Sequence, residues 1–447
     1  MINVNATGCG RGKSTFNRQL INRNSDTRYL VIVPSLALAD EYRTCGTVIH
    51  SENTKNVQQQ IFRAIEANTR VIVITQKAFL DCPSKRLLCE HRTVIQDEHL
   101  EVYYTCNWRM ANHMTWLDMF SVAPSKHDGW HEVFMDTERA QVFMATDDML
   151  DDKQMIDDLL ATPQRIFTNR PGLEADSILF RLISPDVYAG ADAVHIACAN
   201  FTATRQFHIW SKLFDTRFHV TQAFERYATP ALTVHYAGQR YNSKTFNAQD
   251  SSIRSAVIDY IGQRCANPVY VDNNCHDTQR GWQRVDHNCH GVNQYREQRH
   301  IAFLSAINYS NLVSTFLHDV VGMETDEIRY ALIGEMAHQV VMRGALRQDN
   351  SAECHVYVME TDLAAYLLAG IFTGAQECLI DGTGRPPKKP PIASTDRKKA
   401  CHIRQNFEQF NGMSTDDLMK QPIWQMTNSN GRHLKPHRAA RGHNAQA

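Results

Sequence analysis

Three short stretches, YLVIVPS (29–35), RVIVITQ (70–76) and TVIQDEH (93–99), are apolar almost without interruption. Each is too short for a typical helix, and none alternates as a strand with one wet face would. Unbroken Val/Ile runs of this length read as strands of a parallel sheet covered on both sides. Between the first two lies VQQQIFRAIEAN (57–68), with apolar residues at helical spacing. Strands alternating with helices predict an α/β layer fold. AVHIACANFTAT (193–204) reads as a further strand.

The pattern starts again after about residue 230. ALTVHYA (231–237), NPVYVDNN (267–274), HIAFLSAIN (300–308) and CHVYVME (354–360) read as strands, the last as the final one. SSIRSAVIDYIGQRC (251–265) and TDEIRYALIGEMAHQVVMRGALR (325–347) read as helices. Two α/β halves are expected, one over 1–215 and one over 216–384. The segment 101–190, rich in Trp, Met and acidic residues, is expected to insert helices between strands.

The ten residues ATGCGRGKST (6–15) follow the predicted strand INVNA (2–6) and precede a helix-like stretch. In that context a glycine-rich turn reads as a phosphate-binding loop. Glycines 8, 10 and 12 let the backbone bend and aim its N–H groups at a phosphate. The helix start adds positive potential at the same place. The expected nucleotide-binding set is Gly8, Gly10, Arg11, Gly12, Lys13, Ser14 and Thr15. Lys13 reaches the β- and γ-phosphates and Ser14 ligates Mg²⁺. The strict pattern asks for glycine where Thr7 stands, while the core GRGKS is intact. Asp97 and Glu98, at the end of VIQDEH, fall where a carboxylate would hold Mg²⁺ and a second would polarise the attacking water.

GRGKS and DEH resemble motifs I and II of the superfamily two helicases, the DEAD/DEAH-box-related enzymes. IVPSLALADEYR (32–43) and VITQKAFL (73–80) resemble motifs Ia and Ib. ACANFTAT stands in the place of motif III, DHNCHGVNQYREQRHIAFLSAIN (286–308) in that of motif V, and HQVVMRGALR (338–347) in that of motif VI. The wording is closest to helicase-like proteins of phages and mobile elements. The resemblance spans residues 1 to about 360. It implies two RecA-like P-loop domains, with ATP and Mg²⁺ in the cleft between them. It also implies nucleic acid as the partner, DNA ahead of RNA, and movement or strand unwinding as the outcome. Met342 stands where motif VI usually has glycine, and Arg347 falls one position late. Gln339, Arg343 and Arg347 are spaced i, i+4, i+8, which on a helix is one face. Two guanidiniums there would stabilise charge on the γ-phosphate. The alternatives are an ATP-gated clamp that grips nucleic acid without unwinding it and, further off, a phage-type DNA-packaging ATPase with a nuclease domain.

The chain of 447 residues has a net charge of −1, but from 385 to 447 it carries 12 Lys+Arg against 4 Asp+Glu. That basic, proline-led tail is expected to be partly disordered and to attract a polyanion. No apolar run reaches the roughly 18 residues that would span a membrane. No signal peptide is evident, and the 12 cysteines form no regular framework, so reduced thiols and a cytoplasmic location are expected. Cys275, His276, His287, Cys289 and His290 crowd together without zinc-type spacing, as do Cys82, Cys89 and His91. Trp108, Trp116 and Trp130 could stack on bases, with core packing as their plainer role.

Overall fold

The computed structural model describes residues 1–107, 119–146, 156–157, 159–173, 177–239, 242–244, 251–273, 281–287, 294–348 and 353–383. The basic tail, Trp108, Trp116, Cys275, His276, Cys289 and His290 lie outside them. The chain forms two compact units, Met1–Gly384 and Arg385–Ala447; only the first is described below. The fold is α/β, as expected.

Strands β1 (Ile2–Asn5), β2 (Tyr29–Val33), β3 (Thr47–Ile49), β4 (Val71–Thr75) and β5 (Thr93–Asp97) belong to the first parallel sheet. Next come β6 (Tyr103–Asn107), β7 (Phe120–Pro124), β8 (His131–Met135), β9 (Gln164–Thr168) and β10 (Ile178–Ile183). Strands β11 (Ala193–Ala197) and β12 (Phe218–Gln222) return to the first sheet, whose order is β12-β1-β11-β5-β2-β4-β3. Its residues alternate between two cores. Leu30, Ile32, Ile72, Ile74 and Val94 bury into one face, and Val31, Val33, Val71, Val73 and Ile95 into the other. This double burial is why the sequence shows unbroken apolar runs there.

The insert differs from expectation. Strands β6 to β10 form an antiparallel sheet of order β6-β10-β9-β8-β7, with one described helix of any length, Thr137–Thr146. Exposed or half-buried positions break up β6, β7 and β8, so no continuous apolar run marks those three strands. Trp130 is 4% exposed and packs edge-on against Phe180 and Phe316, at 5.2 and 5.0 Å between ring centroids. It is a core residue and offers no face to a base.

The second parallel sheet contains β14 (Leu232–Tyr236), β15 (Val269–Val271), β16 (Gln283–Arg284), β17 (His300–Phe303), β18 (Cys354–Val358) and β20 (Gln376–Leu379). Two short strands, β13 (Tyr227–Ala228) and β19 (Phe372–Thr373), pair separately. The chain therefore has strands after CHVYVME, contrary to the sequence reading. β20 is missed because its four residues, QECL, are mostly exposed at the sheet edge and lack an apolar pattern.

The long helical stretch from 325 ends at Val341, short of the expected 347. Met342–Gly344 turn, and Ala345–Arg347 form one 3₁₀ turn. Gly344 lies where a Cβ would stand 2.4 Å from Ile301 Cδ1 and 2.7 Å from the Gln298 carbonyl oxygen. The next amide, Ala345 N–H, donates to that same carbonyl at 2.9 Å instead of continuing the helix. No helix among the described residues is long and apolar enough to cross a membrane.

Candidate active site

The loop between β1 and its following helix α1 (Lys13–Arg23) is held from three directions. Gly12, at φ 81°, caps α1 in the left-handed region that favours glycine, and its carbonyl accepts the Phe16 amide at 2.8 Å. Gly10, at φ 76°, lies against Arg347: a Cβ there would meet Arg347 Cγ at 2.8 Å. At Gly8 a Cβ would meet the Tyr227 hydroxyl, and that hydroxyl donates to the Cys9 carbonyl at 3.4 Å. Lys13 is buried and its Nζ donates to the Thr7 and Gly8 carbonyls at 2.8 and 2.9 Å. The ammonium thus sits over the hollow of the loop.

Asp97 ends β5 and is 1% exposed. Its Oδ2 accepts from the Tyr42 hydroxyl at 2.7 Å, and it also bonds the Ser14 side chain. Burial, then the neighbouring Glu98, pushes its carboxyl up to about 6, against opposing pulls from Tyr42, Ser14 and Lys13. Paired hydroxyl and carboxylate oxygens are the hard donors that Mg²⁺ takes, so Ser14 and Asp97 fit that ion.

Glu98 has φ 80°, in the left-handed region, although it carries a side chain. Its amide donates to the Ala197 carbonyl at 2.9 Å, keeping it tied to β11. Two glutamines hold the turn beyond it. Gln96 Nε2 donates to the Glu98 carbonyl and to Gln206 Oε1, both at 2.8 Å, and Gln206 Oε1 also accepts the Leu100 amide at 2.8 Å. Both glutamines are fully buried. Neither Gln96 nor Gln206 stands out in the sequence, because they meet only through the fold.

A cavity of about 470 Å³ joins these parts to the second sheet's side. The first half lines it with Cys9, Gly10, Gly12, Lys13, Ser14, Thr15 and Glu98. The second half contributes Gln339, Arg343 and Arg347. All the residues expected to act on phosphate therefore meet except Gly8 and Arg11, which belong to the loop without lining the cavity, and Asp97, buried behind Ser14. Arg11 lies over the Tyr227 ring at 5.8 Å. Gln339 sits on the helix Glu335–Val341, while Arg343 and Arg347 lie beyond its end, so the single helical face expected for the three does not form. Arg343 Nη2 still donates to Gln339 Oε1 at 3.4 Å. Arg18 and Arg296 add two cations to the wall and Glu41 an anion. Sequence reasoning missed Arg296, which nothing in its local spacing marks. Burial and the nearby Lys13 push His338 down to about 3, so it stays neutral beside these cations.

The segment ACANFTAT lies at the same boundary. Asn200, at φ 49°, donates from Nδ2 to the Tyr366 hydroxyl at 3.2 Å, and Tyr366 stacks on Tyr330 at 4.6 Å.

No family model matches the chain, and no curated protein does. Several solved structures are similar to it. The apo structure of XPD is 11% identical and overlaps 85% of this chain and 97% of its own, with a TM-score of 0.48. Xpd4 of S. tokodaii is 12% identical over 84% of this chain and 95% of its own, with a TM-score of 0.47. S. cerevisiae Dbp5, bound to RNA and ADP BeF3, is 8% identical over 85% and 86%, with a TM-score of 0.39.

Proposed function

We propose that this protein is a nucleic-acid-dependent ATP hydrolase of the superfamily two helicase kind, working as a helicase or translocase. The observation that carries the ATPase reading is the shared cavity. Lys13 and Glu98 from the first parallel sheet face Arg343 and Arg347 from the second across about 470 Å³. Five cationic side chains line it against two carboxylates, which suits a polyphosphate. The working division is a first body over 1 to about 215 and a second over about 216 to 384.

In this reading the loop amides and Lys13 hold the β- and γ-phosphates. Ser14 and Asp97 hold Mg²⁺, which when bound neutralises phosphate charge. Glu98 orients the attacking water and takes its proton. Arg343 and Arg347 place positive charge where negative charge grows on the γ-phosphate. Because they come from the other half, hydrolysis depends on closure of the two halves. Nucleic acid as the partner rests on the motif resemblance, with DNA ahead of RNA.

The test is ATP turnover with no polymer, single-stranded DNA, duplex DNA and RNA, beside a strand-displacement assay. Lys13→Ala is expected to abolish hydrolysis in a chain that still folds, with a somewhat lower melting temperature because the Thr7 and Gly8 carbonyls lose their donor. Glu98→Gln is expected to bind ATP and turn it over very slowly. Near-native turnover in the Lys13 variant would remove the phosphate-loop assignment. Polymer-stimulated hydrolysis without displacement would favour the clamp.

A further inference from the structure

Behind the phosphate loop, Glu98, His99 and Cys198 bring their ligand atoms within 4.8 Å of one another. Among the described residues they are the group with this property. Cys198 Sγ is 4.0 Å from His99 Nδ1. A fourth donor approaches from the second half: Glu335 Oε1 is 3.8 Å from the same His99 nitrogen. Cys198 is fully buried, and His99 and Glu335 are nearly so.

We propose that Glu98, His99, Cys198 and Glu335 form a site for zinc or another thiophilic divalent cation, and that filling it stops ATP turnover. One thiolate, one imidazole and two carboxylates are a donor set for zinc, whereas the Ser14–Asp97 oxygens suit magnesium. With bonds of roughly 2.0–2.3 Å in a tetrahedron, neighbouring ligand atoms sit roughly 3.3–3.8 Å apart. The 3.8 and 4.0 Å separations from His99 Nδ1 lie a few tenths of an ångström outside a tetrahedral site, and Glu98 closes on it from within 4.8 Å. Glu98 lines the nucleotide cavity, so an ion enters from that side.

Binding replaces the Cys198 S–H bond with a metal–sulfur bond, and the proton leaves to solvent. His99 ligates as the neutral imidazole through Nδ1. Two consequences follow for turnover. Glu98 is drawn from the water it would orient, and Glu335, at the start of the helix that carries Gln339, is tied to residues beside the loop. The inhibitory part rests on the proposed role of Glu98; the binding part does not. The sequence hides this site because its members are 99 residues apart in the first half and more than 130 further on in the second.

Cobalt(II), which takes zinc sites, is the probe. Titrated into the full, nucleotide-free chain it is expected to bind with one equivalent and a thiolate-to-cobalt charge-transfer band. Cys198→Ala should lose that band and bind at least tenfold more weakly. Glu335→Gln should keep the band and bind more weakly, which guards against a Cys198 variant that fails to fold. A band of equal strength and affinity in native protein and in Cys198→Ala overturns the site. In parallel, zinc is added to the ATPase assay with excess Mg·ATP. Inhibition of the native protein, shifted at least tenfold to higher zinc in Cys198→Ala, supports both parts. A Cys198-dependent band with undiminished native turnover upholds the site, and overturns both its inhibitory effect and the part of Glu98 in hydrolysis.

Discussion

Asp97 concentrates the conflict between stability and function in one side chain. Buried beside Glu98, it holds its proton up to about pH 6, whereas an unfolded aspartate releases it near 3.8. Between those values the folded chain binds the extra proton, so the stability that Asp97 contributes is greatest at low pH and is lost as pH rises through about 6. Asp97→Asn imitates the neutral acid. In metal-free buffer it is expected to raise the melting temperature at pH 7.5 and to change nothing near pH 3. The same variant should lose Mg²⁺-dependent hydrolysis, since an amide does not replace the anionic ligand. Thermal melts at both pH values check this; a variant less stable than native at pH 7.5 would contradict the charge argument. Lys13, Ser14, Asp97 and Glu98 were all legible in the sequence, because a strand, a glycine turn and a helix fix their neighbourhood within a few residues. Gln96 and Gln206 were not: 110 residues separate them, and only the pairing of β5 with β11 brings the helix bearing Gln206 alongside.

At the scale of elements, the two arginines owe their position to a helix that stops early. Had it run to 347, Arg343 and Arg347 would have followed Gln339 along one face. It ends at Val341, Gly344 then passes close to Ile301, and the chain turns so that Arg347 reaches Gly10 of the glycine-rich loop. Arg347→Ala is therefore expected to leave ATP binding nearly intact and to cut polymer-stimulated hydrolysis by about 10³-fold or more, the scale of an arginine finger. Arg343→Ala, which also removes one donor to Gln339 Oε1 and leaves another, Cys9 Sγ, should lower it as well. Lysine should rescue neither, because a point charge does not replace a planar fork. Single-turnover assays with polymer present decide the matter. Native rates in both alanine variants would mean that these side chains do not act on the nucleotide.

At the scale of the whole chain, the basic stretch 385–447, with its excess of eight positive charges, is the clearest polyanion signal. Its removal is expected to weaken nucleic-acid binding and to flatten the dependence of affinity on salt, because each neutralised phosphate adds about 0.9 to the log–log slope on duplex DNA. Turnover without polymer should hardly change. Affinities measured over a salt series check this, and an unchanged slope would assign the tail another role. The sequence by itself determined the two parallel sheets and the glycine-rich loop between β1 and α1, since strands buried on both faces must be apolar along their length, and a backbone at positive φ favours glycine. It did not reveal the antiparallel insert, where exposed positions in β6, β7 and β8 break the pattern, or the edge strand β20. Only the tertiary structure decided what stands across the cavity from the loop. Arg343 and Arg347 were expected there, but Arg296 and Glu335 come within reach through contacts hundreds of residues apart, and no local pattern of charge or hydrophobicity encodes a distance of that kind.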